Sequence, residues 1–210
     1  IWGDVDCEED FSKLCNYIYP RLRRKENPFD YENLVSYLKV IFPNEQIENE
    51  VRITQIGGMS NKNFKVVKGY SEYVLRVPGN GSEGMVVRSN EEQNSMQACK
   101  MGINPPVRYF NAKNGIKLAD YVKNAETLNG ATIQRTSNMD KIVKIFQTLH
   151  HSHVRFGNEF NVFNEILNYE HLLEKANGRM YEGYEPMREK VFQLEEYLNS
   201  LGVSVKPCHN

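Results

Sequence analysis

From Val51 onward the apolar residues of this chain fall at every second position instead of every third or fourth, and two adjacent glycines interrupt that pattern once. A period of two places alternate side chains on opposite faces of a sheet, so Val51, Ile53 and Ile56 predict one strand. Phe64 to Val67 predicts a second and Tyr73 to Val77 a third, bounded by Gly69 and the Pro78-Gly79-Asn80-Gly81 loop. Gly57-Gly58-Met59-Ser60-Asn61-Lys62-Asn63 joins the first two. Glycine lets backbone N–H groups come close to a bound anion, so this turn is a candidate phosphate cradle. Arg76 stands among Val74, Leu75 and Val77, which predicts a partly buried guanidinium in need of an anion. Glu91, on the segment that follows, is a candidate for one anionic partner and a nucleotide phosphate for the other. Taken alone, the arginine fits the surface of an edge strand as well.

Arg88 to Met101 predicts a helix. Pro105-Pro106 then breaks the chain before Val107 to Phe110, and Asn114-Gly115 separates that run from Ile116 to Val122, a strong hairpin signal. The order predicts a five-stranded antiparallel sheet carrying one helix, an α+β arrangement. Leu118 to Val122 leads directly into a helical half and reads as a hinge, where a flat base docks between apolar walls. Helices are expected over 138–150, capped by Asn138 or Asp140, over 160–173 and over 185–201. Upstream, Asp10 to Arg24 and Tyr31 to Phe42 also carry helical spacing, the second closed by Pro43. Residues 1–50 therefore form a helical segment whose role the pattern does not reveal.

Composition narrows the function. With 26 basic and 27 acidic side chains in 210 residues the formal net charge is −1, so nucleic acid is not an expected partner. No apolar run reaches membrane-spanning length and no signal-peptide pattern is present, so no membrane span is expected. Cys7, Cys15, Cys99 and Cys208 lack paired spacing and read as free thiols, which makes the cytoplasm the expected location. His150, His151 and His153 lie too close in sequence at a helix end to converge on one ion, and no metal site is expected there. The run Arg21 to Lys25 reads as a solvated helix end.

Taken in order, these pieces resemble the choline/ethanolamine kinase family, most of all its bacterial LicA-type branch, in the aminoglycoside-phosphotransferase-like group of kinase-like folds. The resemblance runs from about Ile53 to Asn210. It rests on Gly57 to Asn63, Tyr73 to Gly79, Arg88-Ser89-Asn90-Glu91 and Gly102-Ile103-Asn104-Pro105. Asn124 to Leu128, Leu149 to Ser152, Phe160 to Phe163 and Pro207-Cys208-His209-Asn210 complete it. It implies a kinase-like N-lobe over 51–122 and the first helices of a helical C-lobe over 123–210.

Roles follow from the resemblance position by position. Gly57, Gly58, Met59, Ser60, Asn61 and Asn63 would cover the phosphates of ATP. Arg76 would stand where protein kinases place their phosphate-binding lysine, oriented by Glu91. Ala119, Asp120 and Tyr121 would lie along the adenine, and His209 and Asn210 would open the catalytic loop. That loop's base and its magnesium ligands would follow Asn210, so this chain alone is expected to be inactive although ATP and magnesium are the expected cofactors. The implied reaction moves the γ-phosphoryl group of ATP to the hydroxyl of choline. Ethanolamine, thiamine or an aminoglycoside are alternative acceptors, and a non-catalytic nucleotide-binding module is the alternative of another class. Phe160 and Tyr169 are candidate contacts for a quaternary ammonium. Helices 138–153 and 160–174 are expected to expose apolar faces that favour self-association.

Overall fold

The computed structural model describes residues 27–47, 50–58, 61–79, 86–204 and 206. The helix expected over Asp10 to Arg24 lies outside them, as do Met59, Ser60, His209 and Asn210. The elements run α1 (Tyr31–Ile41), β1 (Val51–Gly57), β2 (Asn61–Lys68), β3 (Ser71–Pro78), α2 (Arg88–Lys100), β4 (Val107–Phe110) and β5 (Lys117–Asp120). Three helices follow: α3 (Thr136–His150), α4 (Val162–Lys175) and α5 (Tyr184–Ser200).

The five strands form one antiparallel sheet in the order β1-β2-β3-β5-β4. Two tight connections lay β1, β2 and β3 side by side. After β3 the chain crosses through α2 to the far edge, and the β4–β5 hairpin brings β5 back into the gap beside β3. That hairpin is longer than an Asn-Gly pair alone would make it. Asn111 N–H donates to the Ile116 carbonyl at 2.9 Å, and Gly115 N–H donates to the Asn111 carbonyl at 2.7 Å. Gly115 takes φ 72°, which glycine tolerates at no steric cost.

Register decides the faces. Phe64 pairs with Leu75 and Leu75 with Leu118, so these three point to one side together with Val66 and Val77. On that side they meet Leu34, Val35 and Leu38 of α1 and Ile47 beyond it, and this cluster is the hydrophobic core. Leu38, Val66, Leu75 and Leu118 are wholly shielded from water. The helix left without a role by its spacing thus packs on the core face of the sheet.

The helical half is built differently. α3 begins at Thr136 with Arg135 before it, and neither Asn138 nor Asp140 caps it. A turn in which Asn129 Oδ1 accepts from the Ala131 and Thr132 N–H groups starts the helix early, and the Asn138 amide donates to the Thr132 carbonyl at 2.9 Å. α4 carries a true side-chain cap, Asn161, which accepts from the Phe163 and Asn164 N–H groups. Of the side chains on these three helices only Phe163 is buried, and Ile145, Phe146, Leu167, Tyr169 and Tyr197 are exposed. The α3–α4 connection is tied to α2 through Asn94, which accepts from Gly157 N–H at 3.1 Å and donates to Asn158 at 2.7 Å. No helix among the described residues is long and apolar enough to cross a membrane.

Candidate functional site

Because Leu75 and Val77 face the core, Arg76 between them points to the opposite side. Pairing carries that side across the sheet as a row: Gly57 opposite Asn63, Asn63 opposite Arg76, Arg76 opposite Lys117 and Lys117 opposite Phe110. Beside it runs a second row of Lys65, Val74, Ala119 and Val107. The first row is polar and reaches the glycine turn. The second is mostly apolar and reaches the hinge.

β3 is an internal strand, so Arg76 is no edge residue, and its side chain is 13% exposed. One terminal nitrogen donates to the Glu91 carboxylate and the other to the Gly115 carbonyl at 3.0 Å, while the Phe110 ring lies 5.7 Å from the guanidinium carbon. Its Nε is buried and has no hydrogen-bond partner among the described residues. Glu91 also accepts from Arg88 at 2.8 Å. Burial pushes the Glu91 carboxyl upward in pKa, but hydrogen bonds from Arg76 and Arg88 outweigh it and hold it below the ordinary 4.5. A depressed carboxyl stabilises the fold above the unfolded-state pKa, and that contribution is lost as pH falls through the folded-state value. Urea unfolding of the chain and of Glu91→Gln at stepped pH should therefore show a stability gap that closes as pH drops below about 4.5.

The turn after β1 needs its glycines. Gly57 and Gly58 take φ 136° and 112°, and a Cβ on Gly58 would lie 1.8 Å from the Asn61 carbonyl oxygen. Ile56 is an extra residue that bulges β1 just before them. Gly58→Ala is therefore expected to lower stability by roughly 1–3 kcal/mol and to open the turn, read from thermal unfolding and from weakened nucleotide binding. Asn61 begins β2 with its side-chain oxygen buried and without a hydrogen-bond partner among the described residues.

At the hinge the predicted residues divide. Ala119 is buried beside Val74 on the site's face, and Tyr121 carries the Lys65 ammonium 4.0 Å from its ring centroid. Lys65 is held there by Glu72 at 2.7 Å. The Asp120 side chain turns to the other face: the residue pairs with Tyr73 and its carboxylate accepts two bonds from Arg108, at 2.7 and 2.6 Å. A one-residue step along a strand reverses the face, and that is the whole reason. Asp120 N–H already donates to the Pro106 carbonyl and Tyr121 N–H to that of Glu72. Val122 N–H makes no hydrogen bond among the described residues. Val74, Lys117 and Val122 were not singled out from the sequence. The signal available was alternation counted from Arg76, which places Val74 on its face, but Lys117 and Val122 need the register.

Known proteins share this arrangement. A crystal structure of the choline kinase LicA from Streptococcus pneumoniae superposes with a TM-score of 0.68 at 33% identity, covering 83% of this chain and 61% of that one. In sequence and in fold the chain is similar to choline kinase LicA. A second family structure, LicA in complex with AMP, gives 0.69 at 33% identity over 84% of this chain and 61% of that one. Protein LicA of Haemophilus influenzae is 29% identical over 184 residues, 84% of this chain and 54% of that protein. The chain thus spans little more than half the length of the curated family relatives it matches. No protein-family model matches it. Its sheet, α2 and following helices are the kinase-like N-lobe and part of the helical lobe that family structures carry.

A nucleotide fits the first row. Among the described residues the buried Arg76 Nε lacks an acceptor, which a polyphosphate oxygen supplies. Magnesium has no comparable place among the described residues, where no three His, Cys, Asp or Glu side chains group to hold an ion.

Proposed function

We propose that the protein serves ATP-dependent phosphoryl transfer to the hydroxyl of choline, giving phosphocholine. The observation that carries this reading is Arg76, fixed by Glu91 and Gly115 and still holding a buried, unpartnered donor in line with the glycine turn. Phosphoryl transfer needs its charged groups positioned before the reaction more than it needs covalent chemistry from the protein. Gly57, Gly58, Asn61 and Asn63, with Met59 and Ser60, would cover the phosphates, and Arg76 would bind them. Val74 and Ala119 would form the wall against which adenine lies, with Tyr121 at its rim. Val122 N–H is the hinge donor left free for the base, because those of Asp120 and Tyr121 are taken. His209 and Asn210 are the proposed opening of the catalytic loop. When bound, magnesium would neutralise charge on the phosphates, and no residue described here is assigned to it.

Choline as acceptor is supported by the likeness to the pneumococcal choline kinase. Choline-dependent ADP release with Mg·ATP, on the chain and on the full product of its gene, tests the reading. ATP binding by the chain and turnover by the gene product are the expected results. Turnover with ethanolamine, thiamine or an aminoglycoside but not choline would replace the acceptor. Nucleotide binding with no turnover from either protein would leave a non-catalytic module. The exposed apolar side chains of α3 and α4 support self-association of the chain, which a monodisperse monomer in sedimentation would refute.

A further inference from the structure

Lys117 opens β5 directly across the ladder from Arg76, so the two side chains share a face and a row. No hydrogen bond or ion pair holds the Lys117 ammonium among the described residues. Around it stand Arg76 on β3, Glu91 and Cys99 on α2, and Phe110 across the ladder on β4. Burial lowers its pKa, and the charge of Arg76 lowers it further, against the opposite pull of Glu91. Like charges opposite one another on neighbouring strands repel. The carboxylate beside them is already bound to both Arg76 and Arg88. A half-buried lysine is unfavourable in that setting unless a further anion completes the charge balance. Nothing in the core requires a lysine there: Ile116 and Leu118 on either side supply the apolar packing.

We propose that Lys117 is a positioning residue for the polyphosphate of the bound nucleotide. Set beside Arg76, its charge adds to the field at the guanidinium and makes affinity rise with the number of phosphates. The inference rests on the nucleotide reading of the site and goes beyond it by assigning a cation that touches no base and need touch no phosphate.

Calorimetric titration of adenosine, AMP, ADP and ATP into the chain, Lys117→Met and Lys117→Arg tests it, from neutral to alkaline pH. Lys117→Met should weaken ATP on the order of tenfold, ADP less, and adenosine not at all. Lys117→Arg should restore ATP. The charged form of the lysine is lost as pH rises through its depressed pKa, so ATP affinity of the unaltered chain should decline at lower pH than that of Lys117→Arg. Lys117→Met should unfold at or above the temperature of the unaltered chain. Equal losses for adenosine and ATP, an early-melting Lys117→Met, or unchanged ATP affinity would each overturn the proposal. An unaltered chain that binds neither adenosine nor ATP would remove the nucleotide reading itself.

Discussion

Arg76→Met is expected to weaken ATP binding by about 10- to 100-fold while leaving adenosine nearly unchanged, the loss of one or two charge-assisted hydrogen bonds to phosphate. The guanidinium is held at two of its nitrogens and carries an orphaned donor at the third, so removing it deletes a prepared anion contact. Stability should fall as well, because Glu91 loses a partner in a partly buried place. The fall should stay below the roughly 3–5 kcal/mol of a fully stripped buried ion pair, since Arg88 still binds the same carboxylate. Arg76→Lys should recover only part of the affinity, as an ammonium cannot hold Glu91 and the Gly115 carbonyl in one planar fork. Isothermal titration with ATP and adenosine, paired with urea unfolding, measures both effects. Equal weakening of the two ligands would show that Arg76 shapes the lobe and does not bind phosphate.

Leu38→Ala should cost about 2–5 kcal/mol, the range for deleting a buried leucine side chain and leaving a cavity. Leu38 is 0% exposed and packs in one cluster with Phe64, Val66, Leu75 and Leu118 of the sheet. The outcome bears on residues whose spacing revealed no purpose. A large loss in the urea midpoint at unchanged slope makes α1 part of the folding unit that carries the site. A loss within a few tenths of a kcal/mol would make it an ornament on a self-sufficient sheet.

Much of the fold was legible because its signals are local. Alternation marked Val51 to Val77 as strands, and the Asn-Gly pair marked the last hairpin. Helical spacing found α1 to α5 within a few residues at their ends. The cap of α3 was misplaced because Asn138 is a good capping residue whose amide is committed to the preceding turn. The candidate site was legible in part: glycines, an arginine in an apolar strand and a following glutamate are recognisable types, and the structure joins Arg76 to Glu91. The resemblance set Asp120 along the adenine, but which way its side chain faces, toward Arg108, is written only in the register.

The chain's own order of residues determined the number of strands, the glycine turn, the helix after the third strand and Glu91 as a candidate partner for Arg76. Only the tertiary structure decided that Lys117 stands opposite Arg76, that α1 packs on the far face and that Val122 N–H makes no hydrogen bond among the described residues. The physical reason is range. Periodicity and turn chemistry act over a few residues and are written in one segment. Cross-strand register, the partner of an amphipathic helix and the occupancy of a backbone donor join segments tens of residues apart, and no single segment contains them.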